Sequence, residues 1–126
     1  MSEVEENKYD LDELLSGDEM LTLPEVADRL GIVVSRVHDL LHDRKMIAWR
    51  NKDGIRLVPE LFFNAKDKVS KYVTGTITVL TDAGYSDEEI FAHLFTADDT
   101  LPGRPIDALH GHLAREVIRR AQASAF

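Results

Sequence analysis

The stretch that decides the fold runs from Thr22 to Arg56 and has the sequence TLPEVADRLGIVVSRVHDLLHDRKMIAWRNKDGIR. Thr22 and Glu25 have the spacing of a capping box, in which each side chain accepts a hydrogen bond from the other residue's backbone N–H. Hydrophobic residues then recur at helical spacing up to Leu30, and Gly31 supplies the permissive backbone that a helix end needs. The pattern therefore predicts a short amphipathic helix that begins after Thr22.

A second helix is expected about three residues later, with Val37, Leu40 and Leu41 on its buried side. Its other side carries polar residues such as Ser35 and His38. Two short helices that pack across so short a turn are typical of a helix-turn-helix.

Residues 47–50 and 55–58 alternate in polarity, and the Asp53-Gly54 step between them is a strong signal for a β-hairpin. A hairpin directly after a helix-turn-helix is a wing. Trp49 is expected to anchor this hairpin in the core, and its alternative role is to stack on a base.

The charge of the chain is unevenly distributed. The 126 residues carry a net charge of −8 and no cysteine. Residues 1–20 hold eight acidic residues against one lysine, whereas residues 21–60 hold seven basic residues against six acidic ones. A basic surface is therefore expected within an acidic protein, and the local surface is what contacts phosphate.

Several function classes are excluded or weakly supported by these residues. Without cysteine there is neither a disulfide framework nor thiolate zinc ligation. The acidic N-terminus is not a signal peptide, and no apolar run is long enough to span a membrane, so we expect a cytoplasmic protein. His38 and His42 lack a third metal ligand nearby. There is no glycine-rich phosphate loop or serine elbow. We predict no enzyme, no metal site and no cofactor.

The segments LTLPEVADRLGI and SRVHDLL resemble a small actinobacterial family of winged helix-turn-helix DNA-binding proteins. Residues 82–89 (DAGYSDEE) and 101–109 (LPGRPIDAL) look like the C-terminal part of the same family. That part is similar in turn to the small helical module at the end of Xre/ParS-type antitoxins. The resemblance covers roughly residues 20–124.

The resemblance, together with the acidic and polar composition of the first residues, predicts a mainly α fold in three segments. Residues 1–9 are expected to form a disordered acidic tail that either solubilises the protein or competes with DNA. Residues 10–63 are expected to form the winged helix-turn-helix, with a three-helix core and a hairpin wing. Residues 64–126 then form a small C-terminal helical subdomain. Residues 73–81 are rich in β-branched residues that favour a strand, but the resemblance favours a helix from Thr76 to Ala83.

Double-stranded DNA is the expected partner, with the second helix in the major groove and basic side chains on the phosphates. Recognition helices usually begin with a polar N-cap residue, but the second helix has Val33 at that position. Either Ser35 caps a helix that starts one residue later, or a phosphate oxygen satisfies the open N–H groups. The alternative function is an antitoxin-like module that binds a protein partner through the C-terminal subdomain. The candidate DNA contacts are Ser35, Arg36, His38, His42, Arg44, Lys45, Arg50, Lys52 and Arg56.

Overall fold

The computed structural model describes residues 10–124 of the chain. The predicted acidic tail, residues 1–9, lies outside the described residues. The first half of the described chain alternates short helices with short strands. Its elements are α1 (Leu11–Leu14), β1 (Met20–Thr22), α2 (Leu23–Leu30), α3 (Val34–His42), β2 (Trp49–Arg50) and β3 (Arg56–Pro59).

Helix α2 begins and ends as the sequence predicts. The backbone N–H of Thr22 donates to Glu25 Oε1 at 2.8 Å, and the N–H of Glu25 donates to Thr22 Oγ1 at 3.4 Å. At the other end Gly31 has a φ of 71°, a left-handed conformation that glycine adopts without steric cost. Helix α3 packs against α2, and Val26 and Val37 are completely buried. The predicted helix-turn-helix is therefore confirmed.

A three-stranded antiparallel sheet, with strand order β1-β3-β2, is formed by β1 before the helix-turn-helix and by the hairpin β2-β3 after it. The hairpin pairs Trp49 with Leu57 and Arg50 with Arg56, so the wing lies where the sequence predicts it. Its loop is longer than a two-residue turn, and Asn51 Oδ1 closes it by accepting from the N–H groups of Asp53 and Ile55. Strand β1, which pairs with β3, is an element that the sequence pattern did not predict. The domain is a winged helix-turn-helix.

The second half of the described chain is helical. Its elements are a 3-10 helix (Glu60–Phe62), α4 (Lys71–Asp82), α5 (Asp87–Phe95), α6 (Pro105–Ala108) and α7 (Ala114–Ser124). Helix α4 begins five residues before the predicted Thr76, because Ser70 Oγ caps the N–H groups of Tyr72 and Val73. No helix in residues 10–124 has both the length and the apolar character needed to cross a membrane.

One hydrophobic core joins the two halves of the chain. The Phe62 ring, directly after β3, stacks on Phe91 of α5 with the ring centroids 5.9 Å apart and the planes inclined by 9°. Phe95 contacts both rings, each at 6.3 Å between centroids. The division into residues 10–63 and 64–126 stays a prediction, and the buried side chains form a single cluster across it.

A half-buried arginine also connects distant parts of the chain. Arg104 donates to Asp18, before β1, at 2.8 Å and to Asp107 in α6, while its guanidinium lies 5.4 Å from the centre of the Phe95 ring. The hydrogen bonds from Arg104 lower the pKa of Asp107. The start of the winged domain is thereby held against the C-terminal helices.

Candidate nucleic-acid interface

Helix α3 presents a polar face to solvent. Val37 is its one buried residue, whereas Leu40 and Leu41 are only half-buried. The predicted base-contacting residues of this helix are all exposed. They are Ser35, Arg36, His38 and His42. The structure therefore leaves the whole polar face of α3 free to meet a partner.

An acidic neighbour reduces the charge of this face. Arg36 Nε lies 3.7 Å from Asp39 Oδ2, and both side chains are 69% exposed. An ion pair with that exposure and distance is worth well under about 1 kcal/mol, because water screens both charges. Arg36 therefore remains available to a phosphate, which forms a charge-assisted hydrogen bond with a guanidinium.

The N-terminus of α3 is open. The helix begins at Val34 with Val33 in the N-cap position, where no side chain accepts from the first N–H groups. The expectation that Ser35 caps a later start is therefore wrong. Replacing a polar cap by an apolar residue costs about 1 kcal/mol, and the caps of α2, α4 and α5 are all polar.

The wing places two arginines side by side. Arg50 and Arg56 are directly opposite each other on adjacent strands, so their side chains leave the same face of the hairpin. Like charges directly opposite each other are destabilising. Arg50 Nη1 donates to the Gly54 carbonyl at 2.8 Å, and within residues 10–124 neither guanidinium has a carboxylate within 4 Å.

Two lysines extend this positive surface. Lys52 is exposed at the tip of the wing, and Lys45 is exposed in the segment between α3 and β2. The backbone carbonyl of Lys45 accepts a 2.6 Å hydrogen bond from Thr74 Oγ1 of α4, which fixes the main chain there. Neither ammonium group has a carboxylate within 4 Å among residues 10–124.

Arg44 already has partners in the C-terminal helices, so it is a weaker candidate for a phosphate contact than the sequence indicates. Its guanidinium donates to Thr81 Oγ1 at 3.2 Å and pairs with Asp87 Oδ1. Because Thr81 lies in α4 and Asp87 in α5, the side chain points towards the C-terminal helices. Arg44 fastens the end of α3 to the rest of the protein.

Trp49 is the anchor of the hairpin, as expected. Its side chain is only 8% exposed and belongs to the core, so stacking on a base is excluded. Its indole Nε1–H has no hydrogen-bond partner in the described part of the chain.

Sequence reasoning missed three exposed apolar residues at this surface. Val33 is 66% exposed, Val34 is 41% exposed and Ile55, in the wing loop, is 48% exposed. The run Ile32-Val33-Val34 could have indicated this exposure. Three consecutive β-branched side chains in a short turn are more than a small core can bury there. These residues belong to the candidate interface because they lie at the start of α3 and in the wing loop.

Two family models match the chain. The model described as the wHTH domain of the DNA-binding protein Rv2175c matches residues 9–63. The model described as the Rv2175c C-terminal domain of unknown function matches residues 70–125. Neither match confirms the resemblance of the C-terminal part to Xre/ParS-type antitoxins.

A curated relative and a solved structure agree with these matches. The DNA-binding protein Rv2175c of Mycobacterium tuberculosis (strain ATCC 25618 / H37Rv) is 41% identical over 128 residues, which cover 91% of this chain and 87% of that protein. The NMR structure of Rv2175c superposes with a TM-score of 0.80 at 40% identity, covering 86% of this chain and 82% of the other. The chain therefore belongs to the Rv2175c family of winged helix-turn-helix proteins.

Proposed function

We propose that this protein binds double-stranded DNA, with α3 in the major groove and the wing on the phosphate backbone, and that it acts as a transcriptional regulator. The observation that carries the proposal is the facing pair Arg50 and Arg56. Within residues 10–124 only three arginines have no carboxylate within 4 Å, and two of them form this pair. A phosphate between the two guanidinium groups relieves their repulsion.

The position of the pair supports the proposal further. In helix-turn-helix proteins the second helix lies in the major groove and neighbouring elements contact the backbone. Here α3 is exposed along its polar face, and the chain reaches the wing within seven residues of its end. The relative Rv2175c is itself named a DNA-binding protein. A DNA-bound role also implies the predicted cytoplasmic location.

The alternative, a protein-interaction module, has less support. The exposed large apolar side chains of residues 10–124 lie at the start of α3 and in the wing, and none lies on α4 to α7. A protein partner on the C-terminal subdomain therefore stays a prediction from the sequence. An absence of catalytic function stays a prediction as well.

The proposal is tested by titrating a fluorescent duplex of about 20 base pairs at several salt concentrations between about 50 and 200 mM. Each phosphate contact contributes about 0.9 to the slope of log affinity against log salt. We expect Arg50→Ala, Arg56→Ala and Arg36→Ala to weaken binding and to lower this slope by about one unit each.

Arg115→Ala is the matched control. Arg115 is the third arginine without a carboxylate within 4 Å in residues 10–124, and it is exposed on α7. Its removal changes the net charge as the wing variants do, but we expect the wild-type slope. The proposal fails if the wild type binds no duplex, or if the wing variants retain the wild-type affinity and slope.

A further inference from the structure

The exposed apolar side chains of this protein are concentrated where DNA is proposed to bind. In residues 10–124 the large hydrophobic side chains with the greatest exposure are Val33, Val34 and Ile55. Two of them are consecutive at the start of α3, and the third lies in the wing loop. Single exposed apolar residues are normal on a protein surface, but their restriction to the two elements proposed to meet DNA indicates a binding role.

The fold does not need these two valines in its core. Val37 is the completely buried side chain of α3, and Ile32 in the turn is half-buried against the core. Val33 also occupies the N-cap, where serine or aspartate satisfies the open N–H groups better. The chain therefore has branched apolar side chains at positions where polar ones are better suited to helix stability and to water.

The major groove offers one apolar group to such side chains. Each base pair presents donors and acceptors there, and thymine adds its C5-methyl group. The N-terminal residues of a recognition helix are the ones that reach base edges. A valine at the start of α3 is therefore positioned for contact with a methyl group at C5.

We propose that Val33 and Val34 contact the C5-methyl group of thymine in the major groove, which gives the protein a preference for thymine over bases without this methyl. The inference rests on the proposed DNA-binding function and adds a specificity determinant to it. His38 is one turn from Val34 on the same side of α3 and is exposed, so a polar contact to the neighbouring base edge is within the same footprint.

A second copy of the chain is a poorer occupant of this patch. A stable protein interface buries about 800 Å² on each partner, which far exceeds the exposed surface of two valine side chains. The residues that follow on the same helix face, Ser35 and Arg36, are polar and exposed. A small methyl group matches the size of the patch, whereas a protein surface does not.

The test compares duplexes that differ only in the C5-methyl group. One pair is an alternating A·T duplex and the same duplex with uracil in place of thymine. The other pair is an alternating G·C duplex with and without 5-methylcytosine, which carries a methyl at the same place in the groove. We expect the methylated member of each pair to bind more tightly, by about fourfold for each methyl contact.

Substitutions assign this preference to the two valines. We expect Val33→Ser and Val34→Ser each to reduce the methylated-to-unmethylated affinity ratio, and the double variant to bring it close to one. Ile55→Ser is the matched control, because it removes similar exposed aliphatic surface from the wing. It should keep the wild-type ratio, as should Arg50→Ala, which weakens both members equally. Thermal unfolding verifies that all variants are folded.

The outcomes separate the two proposals. If the wild type binds duplex DNA with the expected salt dependence but does not distinguish uracil from thymine, the methyl contact is overturned and the proposed function stands. If no duplex is bound, both fail. If Ile55→Ser abolishes the ratio while the valine variants keep it, the assignment to α3 is overturned. A wild-type dimer that the valine substitutions dissociate also overturns it.

Discussion

Arg44 Nη2 lies 2.5 Å from Asp87 Oδ1, and this contact joins the end of α3 to the start of α5. Arg44 reaches it from a left-handed backbone conformation with a φ of 58°. The N–H groups of Lys45 and Arg44 donate back to Leu40 and Leu41, which closes a Schellman motif. The equivalent positions after α2 and α4 are glycines, Gly31 and Gly84.

The first prediction concerns this arginine. Arg44→Ala loses the contacts to Thr81 and Asp87 but keeps the left-handed backbone, so we expect it to lower the free energy of unfolding by about 1–2 kcal/mol. Arg44→Gly loses the same contacts but removes the backbone cost, and we expect it to be about 1 kcal/mol more stable than Arg44→Ala. Urea unfolding measures both.

The same variants separate a structural role from a phosphate contact. Arg44→Gly should leave the salt dependence of DNA binding at the wild-type slope, whereas Arg50→Ala lowers it by about one unit. Equal stability of the two Arg44 variants would show that the left-handed backbone carries no cost. A lower salt slope for Arg44→Gly would return this residue to the DNA interface.

The second prediction concerns the repulsion between Arg50 and Arg56. A double-mutant cycle with Arg50→Gln and Arg56→Gln isolates this pair from the hydrogen bond that Arg50 donates to Gly54. We expect an unfavourable coupling of about 0.2–1 kcal/mol in the free protein at low salt. It should fall at high salt, because exposed charges are screened. A favourable coupling at low salt would contradict the proposed geometry of the wing.

The third prediction concerns the open N-terminus of α3. Val33→Ser places a hydroxyl where it accepts from the first N–H groups, and we expect the free energy of unfolding to rise by about 1 kcal/mol. Val34→Ser, one residue inside the helix, provides no cap and serves as the control. Thermal or urea unfolding measures the difference. Equal stability of Val33→Ser and the wild type would show that water already satisfies these N–H groups.

The fourth prediction compares two positions of α3. The helical spacing of apolar residues places Leu40 on the buried face of α3. In the structure Leu40 is only half-buried, beside Ile32 and Val69, whereas Val37 is completely buried. We expect Val37→Ala to cost about 2–3 kcal/mol and Leu40→Ala about 1–2 kcal/mol, although leucine loses more atoms. A larger loss at Leu40 than at Val37 would mean that the faces of α3 are assigned incorrectly.

The fifth prediction concerns His93 in α5. Burial lowers the pKa of His93 from its ordinary value of 6.5, although the nearby Asp98 raises it. As the pH falls through 6.5 the unfolded chain binds more protons at this position than the folded chain, so the free energy of unfolding decreases. That loss continues until the pH reaches the lower folded pKa.

We expect His93→Gln to remove this part of the pH dependence, measured by urea unfolding between about pH 8 and about pH 5.5. His112→Gln is the control, since His112 is exposed, and it should follow the wild type. If wild type and His93→Gln lose stability in parallel over this range, the folded protein accommodates the charged imidazole as well as water does.

Features set by neighbouring residues were predictable from the sequence. The capping box at Thr22 is confirmed, and Ser86 and Glu89 form a second one, because the two partners of such a box lie within four residues of each other. The wing and the helix-turn-helix are confirmed as well, because each is formed by elements that follow one another directly along the chain. Helix α4 contradicts its local preference for a strand, because Val73, Ile77 and Leu80 are buried on one helical face.

Features that depend on distant partners were not predictable. Strand β1 forms only because Leu21 meets Val58, which is far along the chain. Arg44 was assigned to DNA because its partner Asp87 lies 43 residues away. The exposure of Val33 and Val34 was missed because periodicity places apolar residues on a face but does not say whether anything covers that face.

The stacking of Phe62 on Phe91 has a consequence for attempts to transplant the winged domain. A chimera that fuses residues 10–63 to a foreign dimerisation module leaves the Phe62 ring without the aromatic pair that encloses it. Burying such a ring is worth about 2–3 kcal/mol, which is a large part of the free energy of unfolding of a domain of this size. The C-terminal helices therefore complete the hydrophobic core of the winged domain. A graft of that domain has to include α5 or supply a substitute for its aromatic face.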